Sequence, residues 1–444
     1  MNTPNSLSTE VSLILPASES TLVDSTYTLA TKSSSPIPQT SSSTNSLATG
    51  MSSSPDFDGD GNTDIFWSDL ETGENAIWLM DGGSIKFGGL IQSSSPQEIW
   101  TYDFGDFNGD GKTDIFGRNN STGENLVWLI DGSISRLQSG TSIFGGAILN
   151  SVGSGIEDTF EWSYELGDFN GDGKSDVFWR NEDTGENRVW IMDGTSIVQN
   201  TAIQSLGNNS PAEAQDWSYE LGDFNADGRS DVFWRDYNTG RNYVWWMNGA
   251  SISFGYELTQ LGNTEGTGSP DDWDFSLADF NGDGRSDVFW RDYDSGRNYV
   301  WLTNNSGTGI IFGSELGQLG NTEGTGSPDN WSFGIADFNG DGKSDVFWRD
   351  NSNGRNYTWT MNGASISFGY ELAQLGDTAG TGNPEDWDFS FGDFNGDDVF
   401  DIFWRNDSES KNAVWTLSGG TISGGAFLAD LDSDWYQSGL NRNQ

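Results

Sequence analysis

Asp168-Phe169-Asn170-Gly171-Asp172-Gly173-Lys174-Ser175-Asp176-Val177-Phe178-Trp179-Arg180 is one of seven close copies of a single phrase in this 444-residue chain. The copies begin at Asp56, Asp106, Asp168, Asp223, Asp279, Asp337 and Asp393, at intervals of 50, 62, 55, 56, 58 and 56 residues. Self-similarity at such a period marks a repeat array, in which each unit buries its faces against its neighbours. Around the fourth copy the chain reads as four short extended runs. Trp217-Ser218-Tyr219-Glu220-Leu221 leads into the acidic phrase, and Val232-Phe233-Trp234-Arg235 leaves it. A turn at Asn238-Thr239-Gly240 precedes Tyr243-Val244-Trp245-Trp246-Met247. Asn248-Gly249, a pair that favours a tight type I′ hairpin, then precedes Ser251-Ile252-Ser253-Phe254. Each run is short, aromatic and β-branched and is bounded by Gly, Asn or Asp, so four antiparallel strands per unit are expected.

Tryptophan keeps the register. One set opens the units at Trp100, Trp162, Trp217, Trp273, Trp331, Trp387 and Trp435. A second follows the acidic phrase at Trp67, Trp179, Trp234, Trp290, Trp348 and Trp404, with Gly117 in the second copy. A third lies in the third run at Trp78, Trp128, Trp190, Trp245, Trp301, Trp359 and Trp415, and Trp246 completes the total of 21. Large rings in small sheets serve first to bury area between the sheets; a stacking platform for sugars is the alternative for any that stay exposed. The two ends of the array decide whether it is open or closed. Only Met51-Ser52-Ser53-Ser54-Pro55 precedes the first acidic phrase, whereas Asp434-Trp435-Tyr436-Gln437-Ser438-Gly439 has no acidic phrase after it. The missing piece of the first unit is the surplus piece of the last. An all-β, seven-bladed β-propeller is therefore expected, closed by the C-terminal strand entering the first blade as its innermost strand. An open solenoid gains nothing from this permutation.

In the pattern Asp-x-Asn-x-Asp-Gly-x-x-Asp, side-chain oxygens stand at positions 1, 3, 5 and 9, and glycine at position 6 permits a sharp reversal. Alternation turns positions 1, 3 and 5 inward, where a carbonyl near position 7 can join them. Hard oxygen donors suit Ca²⁺ better than the smaller Mg²⁺ or a transition metal. The candidate ligands are Asp56, Asp58, Asp60 and Asp64; Asp106, Asn108, Asp110 and Asp114; Asp168, Asn170, Asp172 and Asp176; Asp223, Asn225, Asp227 and Asp231; Asp279, Asn281, Asp283 and Asp287; Asp337, Asn339, Asp341 and Asp345; and Asp393, Asn395, Asp397 and Asp401. Ordinary Asx-rich turns are the alternative, but gathering three or four carboxylates without a cation is costly through like-charge repulsion. About seven structural Ca²⁺ ions are expected on that ground. The last loop has Asp398 where glycine stands elsewhere, followed by the bulky Val399 and Phe400, so its affinity is expected to be reduced.

Composition narrows the function. Sixty-seven acids against 20 bases give a net charge of −47, which disfavours nucleic acid and anionic membranes as partners. His and Cys are both absent, which removes disulfides, thiolate or imidazole metal sites and Ser/His/Asp or Cys/His catalysis. No run approaches the ~20 apolar residues of a membrane span. Residues 1–55 are Ser/Thr-rich and lack strand or helix periodicity, so a disordered tail is expected ahead of a propeller spanning 56–440. The tail lacks a recognisable cleaved signal peptide, since its first basic residue is Lys32 and its best apolar run, Val11-Ser12-Leu13-Ile14-Leu15, is short. Filling weak calcium sites nevertheless points to a secreted or cell-surface location, where calcium is abundant.

These loops, with Phe144-Gly145-Gly146 and Phe254-Gly255-Tyr256 further along their units, resemble the FG-GAP or VCBS-type repeat family over nearly all of the chain beyond the tail. The resemblance implies calcium in the loops and adhesion or ligand binding by a seven-bladed propeller, as in integrin α-subunit heads, propeller lectins and secreted bacterial proteins. It does not dictate the ligand.

Six units carry an arginine after the second run: Arg118, Arg180, Arg235, Arg291, Arg349 and Arg405, with Ser68 in the first. A salt bridge or carbonyl clamp between blades is one reading, and a row of sugar or carboxylate sites is the other. The segments 256–268, 314–326 and 370–382 are nearly identical, as are Arg241-Asn242-Tyr243, Arg297-Asn298-Tyr299 and Arg355-Asn356-Tyr357. Recent duplication accounts for this, or several equivalent shallow sites for a repeating glycan do. The candidate ligand-binding residues are Arg235, Tyr243, Tyr256, Arg291, Tyr299, Arg349, Tyr357 and Tyr370. The expectation is a monomeric, non-enzymatic binding module for a glycan, with a surface-protein partner or matrix scaffold as the alternative. No unit stands out as a catalytic centre; Glu157 and Asp158, in the longest insertion, are the local oddity an enzyme reading rests on.

Overall fold

The computed structural model describes residues 54–438 apart from 70, 93–99, 141, 150–160, 208–210, 263–266, 321, 323, 377–380 and 433. The expected tail, apart from Ser54 and Pro55, lies outside the described residues, as do Glu157 and Asp158. The rest forms seven four-stranded antiparallel sheets. Blade 4 shows the plan, with strands Trp217–Gly222, Asp231–Asp236, Asn242–Met247 and Ile252–Glu257 paired in sequence order. The first strands of successive blades touch one another and so form the inner ring.

Closure follows the expected permutation. Trp435–Ser438 pairs antiparallel with Ile65–Asp69, Trp67 opposite Gln437, and supplies the innermost strand of blade 1 ahead of Asn75–Asp81 and Ser84–Leu90. Each sheet is thereby covered on both faces, which leaves no open end to cap.

The core lies between blades. Phe169, Phe178, Val189 and Ile191 of blade 3 pack with Tyr219, Leu221, Val232, Trp234, Trp245 and Met247 of blade 4 in one cluster. Second strands are buried along their whole length in every blade, because they sit mid-sheet between two neighbouring sheets. Seventeen of the 21 tryptophans are buried, so packing is what they do. The four that stay partly exposed are Trp100, Trp217, Trp246 and Trp415.

The Asn248-Gly249 turn departs from the type I′ expectation. That turn needs positive φ at both central residues, yet only Gly249 has it, at 57°. Asn248 N–H instead bonds Ser251 O at 2.9 Å, and Gly249 N–H leaves the hairpin to donate to Phe169 O of the preceding blade at 2.7 Å. A tertiary bond has overridden the local preference.

Candidate metal centres and the clamps between blades

In blades 2 to 7 the acidic loop joins the first strand to the second, in blade 1 it leads directly into the second, and throughout backbone N–H groups hold its carboxylates. In blade 3, Asp168 accepts from Gly171 N at 2.7 Å through Oδ1 and from Gly173 N at 2.8 Å through Oδ2. Asp176 accepts from Phe169 N at 3.1 Å and, through its other oxygen, from Met192 N of the third strand at 2.8 Å. Asp172 accepts from Lys174 N at 3.0 Å. The pattern repeats at position 1 in Asp56, Asp106, Asp223, Asp279, Asp337 and Asp393. It repeats at position 5 in Asp60, Asp110, Asp227, Asp283, Asp341 and Asp397. At position 9 it repeats in Asp64, Asp114, Asp231, Asp287, Asp345 and Asp401. Asp398 takes up the left-handed conformation of the glycines it replaces, at φ 62°.

Burial, with negative neighbours adding to it, pushes the position-9 carboxyls up. Asp114, Asp176, Asp345 and Asp401 are raised to about 7, and Asp231 and Asp287 to about 8. Asp64 lies well above the usual carboxylate range for the same reason. A carboxyl in this state takes up a proton or a cation. In five loops the position-3 amide meets that demand in part: Asn108, Asn225, Asn281, Asn339 and Asn395 donate to the position-9 oxygen over 2.6–3.1 Å. Asn170 donates to Asp172 instead, at 3.2 Å. The first loop has Asp58 here. One oxygen each from Asp56, Asp58 and Asp64 lie within 4.8 Å of one another, the one group of three acids so gathered among the described residues. Its all-oxygen donors fit a hard divalent cation.

The loops are also joined to each other. The position-1 carbonyl of each accepts the position-8 N–H of the next, from Thr113 N to Asp56 O at 2.9 Å around to Thr63 N to Asp393 O at 2.6 Å. In every loop but the fourth, where Gly307 N of blade 5 bonds Asn304 O instead, the position-2 carbonyl accepts from a glycine after the third strand of the following blade, as Gly132 N does to Phe57 O at 3.0 Å. That glycine has no alternative, since a Cβ on Gly132 would stand 2.5 Å from the Phe57 oxygen. The acidic loops are thus the hinges of neighbouring blades as well as the turns of their own.

The arginines form the carbonyl clamp of the two readings. Arg235, Arg291 and Arg349 are fully buried, which removes them from any ligand surface and corrects their place among the candidate binding residues. Arg235 donates to Gly240 O and Leu261 O at 3.0 Å, to Pro270 O at 2.7 Å and to Asn242 Oδ1 at 3.3 Å. Its guanidinium lies over the Trp290 ring of the next blade at 4.9 Å. Arg118, Arg180, Arg291, Arg349 and Arg405 stack likewise on Trp179, Trp234, Trp348, Trp404 and Trp67, at 4.9–5.4 Å. The clamp is missing at one junction, and there both partners are missing. Ser68 of blade 1 has no guanidinium, and blade 2 has Gly117 instead of the tryptophan. Leu126 and Tyr102 fill the space, 2.9 and 3.1 Å from where a Gly117 Cβ would stand. Asn75, the counterpart of Asn242, is buried with its Oδ1 unpartnered. Sequence reading had both exceptions, Ser68 and Gly117, but not the rule that pairs them, because their partnership runs between blades.

The remaining candidates are half-buried at the surface. Arg241 bonds Glu257 at 2.8 Å and lies over Tyr243 at 4.9 Å. Arg297, Glu315 and Tyr299 repeat this arrangement in blade 5, and Arg355, Glu371 and Tyr357 in blade 6. Tyr256 donates to Gly307 O of blade 5, and Tyr370 stacks on Phe368 at 6.1 Å between centroids. The outer strands carry exposed apolar residues, among them Phe144, Phe254, Phe312, Phe368 and Phe427. Among the described residues no helix is long and apolar enough to cross a membrane.

Comparison with known proteins agrees with this architecture. A lectin of Agrocybe aegerita that recognises non-reducing terminal N-acetylglucosamine is similar over 89% of this chain and 98% of its own, at 15% identity and a TM-score of 0.64. The β-propeller domain of Cps50 (Swd1) from Myceliophteria thermophila is similar over 84% of this chain and 99% of its own, at 13% identity and a TM-score of 0.43. No curated protein sequence matches significantly. The profile of the FG-GAP-like repeat matches residues 56–117, 168–234, 223–290, 279–348 and 337–404. With most of its blades matched, the chain belongs to the FG-GAP-like repeat family and is built as a seven-bladed β-propeller.

Proposed function

We propose that the chain is a calcium-stabilised, non-enzymatic binding module that works outside the cell or on its surface and recognises carbohydrate. The propeller proper spans 56–440 in this reading. The observation that carries it is the acidic loop, repeated seven times with its carboxylates held by backbone N–H groups and its position-9 carboxyl raised by burial. In blade 3 Asp168 Oδ2 and Asp176 Oδ1 each accept one N–H and keep a second lone pair, and a half-turn of the position-3 amide presents its oxygen in place of its N–H. Bound calcium would supply the positive charge that these carboxyls lack. Because the loops are hydrogen-bonded blade to blade, filling them would stiffen the whole ring.

For the ligand, the Arg–Tyr–Glu groups around Tyr243, Tyr299 and Tyr357 support three equivalent sites, each with an aromatic face and ionic hydrogen-bonding groups suited to a sugar. The Agrocybe aegerita lectin gives terminal N-acetylglucosamine as the first glycan to try. A glycan array in millimolar calcium and again in EDTA tests the reading. Calcium-dependent binding that weakens stepwise in Tyr243→Ala, Tyr299→Ala and Tyr357→Ala is the expected result; an array left blank by folded protein refutes it. The exposed phenylalanines of the outer strands favour a second reading, a protein-binding scaffold. Under it, Phe312→Ser and Phe368→Ser would abolish partner capture and leave glycan binding untouched.

A further inference from the structure

The first acidic loop differs from its six sisters in two residues that meet. Asp58 replaces the position-3 asparagine, and the Lys86 ammonium lies 2.9 Å from Asp58 Oδ2 and 2.5 Å from Asp60 Oδ2. Lys86 belongs to the outer strand Ser84–Leu90, one residue beyond Ile85, which pairs with Met80. The residues at the same register in blades 2 to 7 are Phe144, Val198, Ser253, Ile311, Ser367 and Ser423, none of them basic. Loops 2 to 6 have a Lys or Arg at position 7, whereas loop 1 has Asn62. The first loop thus has one extra carboxylate and draws its cation from another strand.

The other Asp58 oxygen points elsewhere. Oδ1 is buried without a hydrogen-bond partner, on a side chain only 10% exposed, beside the gathered oxygens of Asp56 and Asp64. One edge of the carboxylate is neutralised by the ammonium, and the other is left without a hydrogen bond in a side chain that belongs to the three-acid cluster.

We propose that Lys86 is a tethered competitor for the cation of the first loop. Its ammonium holds Asp58 and Asp60 when no metal is present and must be displaced from them before they can close on one. The inference rests on the reading that the acidic loops bind calcium. Asp58 and Lys86 cancel in formal charge, and with Asn62 at position 7 the loop keeps one more negative charge than loops 2 to 6. Two of its donors are nonetheless already engaged by one ammonium, and it therefore fills at higher calcium than loops 2 and 3, whose position-7 lysines bond Asp131 and Asp193 instead. Loop 7, with Asp398, adjoins it in the ring, so the two atypical loops flank the seam where the C-terminal strand enters.

The test is Ca²⁺ titration of the full chain by calorimetry, comparing wild type with Lys86→Met and with Asp58→Asn/Lys86→Ser, which restores the pattern of the sister loops. Lys86→Met, which removes a competing, part-exposed ion pair, is expected to tighten one site by up to about fivefold and leave the others unchanged. Thermal unfolding supplies a second readout. Lys86→Met should lower the midpoint in EDTA, where it strands Asp58 and Asp60, and not in saturating calcium. Calcium uptake by the wild type with no site tightened in Lys86→Met, or with that site weakened, overturns the competitor role and leaves the calcium reading standing. Absence of uptake by any loop overturns both.

Discussion

Arg235→Ala measures how firmly one blade is clamped to the next. The substitution removes the donor from three backbone carbonyls and one amide oxygen and uncovers the Trp290 face. Buried acceptors left without donors lose about 1–3 kcal/mol each, and a desolvated cation–π contact contributes about 2 kcal/mol. Against this stands the relief of no longer burying a guanidinium, whose pKa burial has already pulled down to about 10. Arg235 has no carboxylate in direct contact, so that relief is substantial, and a net loss of about 3 kcal/mol remains. At roughly 2.1 cal/mol/K per residue over about 385 residues, the unfolding entropy near the midpoint is about 0.8 kcal/mol/K, and the expected fall in Tm is about 4 °C. Scanning calorimetry in millimolar calcium measures it. Arg235→Lys should recover little, since an ammonium lacks the planar fork. Arg241→Ala, whose side chain is 45% exposed, should move Tm by less than about 1 °C. If Arg235→Ala proves no more damaging than Arg241→Ala, the clamp is not what joins the blades.

Other expectations follow from single features. Burial raises Asp103 to about 6 and Glu165 to about 8, both on inner strands. Raised folded-state values favour the folded protein below about pH 4 and lose that contribution as pH rises through 6 and then 8. Glu165→Gln should therefore flatten the upper part of a Tm-against-pH curve, and an unchanged slope would speak against it. Asp398→Gly removes a left-handed non-glycine residue and should raise Tm slightly, by up to about 1 kcal/mol in stability, with tighter calcium uptake at the last loop. At the clampless junction, Gly117→Trp alone should destabilise by crowding Leu126 and Tyr102. Adding Ser68→Arg should recover part of that loss, visible as coupling in a double-mutant cycle. Ending the chain at residue 434 removes the innermost strand of blade 1 and exposes Trp67 and Phe66, so the product should lose cooperative unfolding.

The repeat phrase, the tryptophan register and the mismatch of the two ends were enough to read seven blades and their closure. Each is a local pattern multiplied by repetition, and repetition turns a weak strand preference into a firm one. The acidic loops were legible for the same reason, since all their donors lie within nine consecutive residues. Even the strained Asp398 was visible, because its six sisters show glycine there.

Relations between residues of different blades were not legible. Arg235 left a surface sugar site open beside the clamp between blades, and burial decided for the clamp. The same holds for Gly249, whose N–H serves a carbonyl of the blade before it, and for Ser68 and Gly117, two separate exceptions in the sequence that form one absent contact in space. Lys86 is inconspicuous in its own strand, 28 residues from Asp58, until antiparallel pairing folds it back over the first loop. Sequence by itself determined what each blade is, because short-range pattern and turn chemistry act along the chain. Tertiary structure decided how each blade grips the next, because hydrogen bonds and ring stacking depend on separation in space.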